Sequence, residues 1–139
     1  MKKYGLTDET MQLFGITLHR IVALRDFNNV KKGDNGGWIE KEDNLSHAGT
    51  CWVYGNADVR GNANVCGNAE ISNKTDYIVF KNWWSSGRYF TWTRSNNMWS
   101  VGCFYGSGDE LIKKAYEDSY DKGKHYAEIV EYVNKCVLK

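Results

Sequence analysis

The sequence predicts a mainly β chain with C-terminal helices, an α+β arrangement built on a short hexapeptide-type β-solenoid. Three observations predict it. A period of six runs through residues 53–70, strand-like runs lie on either side, and two stretches of helical spacing close the chain. The 139 residues carry 18 basic against 17 acidic side chains, 14% aromatics and no proline. That balance excludes a generally basic nucleic-acid coat, and the charged and aromatic content excludes a disordered chain. No apolar run approaches the roughly 20 residues of a membrane span and no signal-peptide pattern opens the sequence, so a cytoplasmic protein is expected. The cysteines at 51, 66, 103 and 136 lack C-x-x-C or zinc-ligand spacing and are expected as reduced thiols. No metal or cofactor is implied.

Residues 1–37 read as a hairpin and a Gly-rich loop. Met11–Phe14 and Ile16–Val22 are strand-like runs hinged at Gly15, and a polar stretch from Asn28 to Gly37 follows. The cluster Gly33-Asp34-Asn35-Gly36-Gly37 lacks the G-x-x-x-x-G-K-[ST] spacing of a phosphate loop and reads as a turn.

Residues 38–76 carry the repeat. Val53-Tyr54-Gly55-Asn56-Ala57-Asp58, Val59-Arg60-Gly61-Asn62-Ala63-Asn64 and Val65-Cys66-Gly67-Asn68-Ala69-Glu70 are three hexads, with a degenerate fourth from Ile71. Six residues make one short strand plus one corner of a parallel β-helix. Strand alternation puts Val, Gly and Ala of each hexad on the inner face, and Gly-Asn supplies the positive φ a tight corner needs. The same phase reaches upstream to Leu45 and Ile39 if two residues bulge near Thr50-Cys51. That gives rungs at 39, 45, 53, 59, 65 and 71, or two triangular coils. Both ends of such a stack need caps.

Residues 77–139 read as a β-meander and a two-helix cap. Three strand-like runs near 77–84, 88–94 and 98–105 lie in a stretch, 76–106, that holds ten of the twenty aromatics. Ser107 and Glu110 form an S-x-x-E capping box, and Leu111, Ile112, Ala115, Tyr116 and Ser119 share a helical face. Asp121–Gly123 is expected to break the chain before a second helix facing inward through Tyr126, Ile129, Val130, Val133 and Val137.

The run Val30–Glu40 with its Gly-Asp-Asn-Gly-Gly-Trp-Ile core, the segment Glu42–His47 and the V-x-G-N-A hexads resemble a family of small phage- and prophage-encoded proteins, described as hypothetical or polymer-forming β-helix proteins. Gly102-Cys103-Phe104, Gly106 and the acidic helix start also resemble that family. The resemblance brings no catalytic motif and implies a mobile-element accessory protein. From it follows the expectation of a non-enzymatic counter-defence protein in the bacterial cytoplasm, an anti-CRISPR-like inhibitor. Its partner would be a host defence protein such as an RNA-guided nuclease complex.

Two alternatives stay open. One is an oligomeric sponge for an immune signalling nucleotide, with Arg88, Trp92 and Arg94 lining its pocket. The other is a structural solenoid that assembles with copies of itself.

The residues offered for partner binding are Tyr54 and Arg60 on the rungs, and Trp83, Trp84 and Arg88 around a loop. Exposed tryptophans and arginines are the usual anchors of interfaces. In 88–94, alternation puts Arg88, Phe90, Trp92 and Arg94 on one face, which is the pattern of a base-stacking sheet. The charge over 76–106 is only +2, three basic residues against Asp76, so Phe90 and Trp92 are read as core and direct nucleic-acid binding is not expected. Hexapeptide helices also carry many acyltransferases, which this chain resembles in the repeat only. Of its histidines, His19 and His125 read as packing or surface residues. His47 takes the slot that Gly fills in later hexads, near Asp43 and Glu42, and reads as a corner residue. No catalytic residue is expected.

Overall fold

The computed structural model describes residues 2–138. The chain is mainly β with two C-terminal helices, and it has two hydrophobic cores. Strands β1 (Tyr4–Leu13) and β2 (Ile16–Ala23) form the expected hairpin. Phe14 and Gly15 at its tip have φ of 52° and 79°, as a type I′ turn requires. The hairpin starts at Tyr4 rather than Met11. A register shift between Leu6 and Thr10 breaks the alternation there, so the polar first half does not read as strand.

Strand β3 (Asn35–Ile39) pairs antiparallel with β2 and parallel with β5 (Asp58–Val59). Leu45 bridges Val65, and β4 (Trp52–Val53) pairs with β6 (Glu70–Ile71), both in parallel. Ile39 thus meets Val59, Leu45 meets Val65 and Val53 meets Ile71. The first two pairs are 20 residues apart and the third 18, because two extra residues sit before Trp52. All six rung side chains are buried, with Ala57, Ala63 and Ala69. The glycines do not point inward as alternation suggested. Gly55, Gly61 and Gly67 have φ of 59–67° and sit at the corners, where the N–H of the following Ala returns to the carbonyl before the Gly. A positive φ at the first central position is what a type II′ turn requires, and glycine adopts it without steric cost.

Side chains close the backbone on both sides of this segment. On the early side, Lys3 Nζ donates to the Cys51 carbonyl at 2.6 Å, Tyr4 Oη to the Leu45 carbonyl at 2.6 Å and Arg25 to the His47 carbonyl at 3.1 Å. On the late side, the Asn64 N–H donates to Thr91 Oγ1 at 2.9 Å and the Glu70 N–H to Ser95 Oγ at 2.8 Å. Asn44, fully buried, donates to the Gly61 and Ala63 carbonyls at 3.1 and 2.9 Å and ties the two passes together.

Strands β7 (Tyr77–Lys81), β8 (Tyr89–Thr93), β9 (Met98–Val101) and β10 (Phe104–Gly106) form an antiparallel sheet in the order β10-β9-β8-β7. Four strands stand where three runs were expected, because Gly102 (φ 56°) turns the chain inside the third run. Helix α1 (Gly108–Asp118) opens on the expected capping box, Ser107 with Glu110. Helix α2 (Tyr120–Tyr132) follows directly and leads into a π-helical turn at Val133–Val137. The expected break at Asp121–Gly123 is corrected to Ser119, which caps α2 by accepting from the Lys122 N–H. Gly123 lies inside α2, where a side chain would meet the Tyr116 ring of α1. Phe90, Trp92, Trp99, Leu111, Ala115, Tyr126 and Val130 fill the second core. Among the described residues, no helix is long and apolar enough to cross a membrane. All four cysteines are free thiols.

Candidate functional site

The loop between β7 and β8 is held by its own backbone. Asn82 and Arg88 close it through a 2.7 Å bond, the Gly87 N–H donates to the Asn82 carbonyl at 2.9 Å, and Gly87 has φ of 75°. Within it, Trp83 and Trp84 diverge as adjacent residues do. Trp84 stacks flat on His125 of α2, with centroids 4.4 Å apart, and turns its edge to Phe90 and Tyr126. Trp83 stands at 88° to Trp84 and is 75% exposed. His125, Glu128, Ile129 and Tyr132 share one face of α2 by their three- and four-residue spacing. With Phe80, Lys81, Trp83 and Trp84 they line an open groove of about 480 Å³. The indole Nε1 of Trp84 is buried without a hydrogen-bond partner, and so is Oδ1 of Asn82.

A second cavity of about 550 Å³ lies beside the repeat, lined by Glu42, Ser46, His47, Asn62 and Asn64 among others. The Lys3 N–H donates to His47 Nδ1 at 3.2 Å, so the ring proton sits on Nε2 and points at Glu42 Oε2, 3.1 Å away. Tyr4 stacks on the ring at 4.1 Å. Both ring nitrogens are therefore engaged, and His47 ties the N-terminal strand to the repeat. Bonds from His47 and then Lys2 hold the Glu42 carboxyl below its ordinary pKa.

The residues expected at a partner surface do not form one patch. Tyr54 is half-buried against the first core, and Arg60 pairs with Asp58 at 3.5 Å beneath the Phe14 ring. Trp83 and Trp84 share the groove. Arg88 borders a separate cleft with Lys114, Asp118 and Lys122. The nucleotide pocket of Arg88, Trp92 and Arg94 is corrected. Trp92 is fully buried, and Arg94 lies over its ring while donating to the carbonyls of Thr75 and Val137. Sequence reasoning did not join Phe80, Glu128 or Tyr132 to a groove, and it read Ile129 as an inward-facing helix residue and His125 as a packing or surface residue. The spacing 125, 128, 129, 132 was the available signal, but it looks like any amphipathic helix until the loop is folded onto it.

No family model matches the chain. Over 62 residues it is 37% identical to the uncharacterized acetyltransferase YdcK of Escherichia coli (strain K12). That alignment covers 39% of this chain and 19% of YdcK, so the chain spans about a fifth of the length of that relative. The match corrects the expectation of a chain without enzymatic activity, because the relative is named as an acetyltransferase. Its description says nothing of a phage or prophage.

Proposed function

We propose that residues 38–72 form a two-coil β-solenoid of the hexapeptide kind, and that this scaffold carries a protein-binding groove on the C-terminal sheet and helices. The solenoid reading is supported by three parallel contacts, 39 with 59, 45 with 65 and 53 with 71, one for each side of a triangular coil. The binding reading rests on one observation, the exposed Trp83 ring at the mouth of a groove walled by Phe80, Trp84, His125 and Tyr132. A tryptophan left open beside a formed apolar groove is the kind of anchor that dominates interface energetics.

A component of a host defence system is the partner class the sequence resemblance points to and is the first to offer. The test is capture from a bacterial host lysate with the wild type and with Trp83→Ala in parallel, followed by reconstitution with the purified captured protein. One protein retained in near-equal amount by the wild type, lost with Trp83→Ala and rebound in purified form supports the reading. The same set retained by both baits removes it.

The YdcK match favours a second reading, acetyl transfer supported by the same repeat scaffold. The cavity beside Glu42 and His47 is the place for it, and His47 would have to release its bond from Lys3 to take a proton from an acceptor. Turnover of an acetyl thioester that is lost in His47→Gln supports this reading. Turnover unchanged in His47→Gln places the chemistry elsewhere.

A further inference from the structure

Resting on the reading of the Trp83–Tyr132 groove as a binding site, we infer that its ligand is an arginine side chain of the partner protein. Trp84 lies flat on His125, while the rings at the open sides of the groove meet their neighbours edge to face. Trp83 stands at 81° to His125 with centroids 5.7 Å apart, and Phe80 at 81° to Tyr132 at 6.4 Å. Trp83 and Tyr132 therefore keep aromatic surface open to the groove and to solvent. An aromatic face carries negative charge density and attracts a cation within about 6 Å of its centre. Glu128, one helical turn before Tyr132, supplies a carboxylate that forms no ion pair among the described residues.

The same molecule shows this combination with its cation in place, twice. Arg20 lies 4.5 Å over the Trp38 ring while its Nε pairs with Glu9 at 3.2 Å. Arg60 lies 5.4 Å over the Phe14 ring while pairing with Asp58 at 3.5 Å. The groove offers the ring and the carboxylate without the guanidinium. A planar guanidinium both stacks on an indole and forks onto a carboxylate, which an ammonium does less well, so arginine is the fitting occupant. Lys81 at the groove wall is the opposing charge.

The experiment follows the six tryptophan indole N–H signals of the full chain by NMR, with Trp83 and Trp84 assigned through Phe variants. The probes are Nα-acetyl-arginine amide, its neutral isostere Nα-acetyl-citrulline amide, and adenosine monophosphate. The arginine amide should shift the Trp83 and Trp84 signals and leave the others in place, and bind at least about fivefold tighter than the citrulline amide. Glu128→Gln should weaken it at least about threefold, and Lys81→Ala should tighten it, by removal of attraction and of repulsion respectively. Equal binding of the two amides overturns the inference. So does preferred binding of the nucleotide that Lys81→Ala abolishes, because the groove would then stack a base and hold a phosphate. If no probe moves either indole while Trp83→Ala still loses the captured partner, the arginine assignment fails and the groove stands. If Trp83→Ala loses nothing, both fail.

Discussion

Tyr4 opens the first strand and Lys3 stands just before it, yet their side chains act on backbone 41 and 48 residues away. The Lys3 ammonium is buried, donates to the Cys51 and Gly49 carbonyls, lies 3.3 Å from Cys51 Sγ and sits 5.1 Å from the centre of the Phe27 ring. Burial holds its pKa below the ordinary lysine value and pushes the Cys51 thiol up. Lys3→Met keeps the shape and removes the donor, leaving buried carbonyls unpaired, and should cost about 1–3 kcal/mol in a denaturant titration. Since the folded pKa is lowered, the unfolded chain binds the proton more tightly. The wild type's margin over Lys3→Met should therefore widen as pH rises toward the unfolded lysine value.

Tyr4 behaves oppositely. Burial first, then nearby acidic charge, raises its pKa well above 10. Above pH 10 the unfolded tyrosine ionises and the folded one does not, so its contribution is lost with rising pH. Tyr4→Phe should cost about 1 kcal/mol at pH 7, and that gap should close as the pH passes 10. Neither role was legible in the sequence, because the partners of both side chains are set by three-dimensional closure and not by local pattern.

Elements meet through single polar side chains as much as through apolar faces. Thr91, buried in the middle of β8, accepts the Asn64 N–H that would otherwise face the C-terminal sheet unpaired. Thr91→Val is nearly isosteric and should lower stability by about 1–3 kcal/mol, while exposed Ser95→Ala, whose place water can take, should cost less. The helix pair depends on the close approach at Gly123. Gly123→Ala raises helix propensity by about 1 kcal/mol, but its methyl group enters the Tyr116 ring. The net outcome expected in thermal melts is a loss of about 1–3 kcal/mol, relieved when Tyr116→Ala is added.

At this scale the sequence was informative wherever a period repeated. The hexads placed the parallel-paired residues, including the two-residue offset near Thr50-Cys51, and Ser107 with Glu110 placed the start of α1. It misled at isolated glycines. Gly123 reads as a breaker from composition and is a packing residue in the fold, while Gly102 inserts a turn into an apolar run.

The whole molecule is a short repeat segment closed at one side by β2 with Lys3, Tyr4 and Arg25, and at the other by Thr91 and Ser95. The end rungs of the repeat are covered in this way, and the long edge left on the β1-β2-β3-β5 sheet is that of β1. Light scattering over a wide concentration range should therefore show no growing polymers, and a mass that climbs without limit would contradict the closed ends. The candidate groove was legible in half. Trp83 and Trp84 stood out as an aromatic pair beside a loop, whereas Phe80, Glu128 and Tyr132 join them only when α2 lies over that loop.

The measurement that tests the capped two-coil account most directly is amide hydrogen exchange across residues 38–76 in the wild type and Thr91→Val. The account predicts that the Val65, Trp52 and Tyr54 amides, which donate between the coils, exchange slowly in both proteins. The Asn64 amide should be slow in the wild type and lose protection in Thr91→Val alone. Rapid exchange throughout residues 52–72 of the wild type, as in an irregular loop, would contradict it.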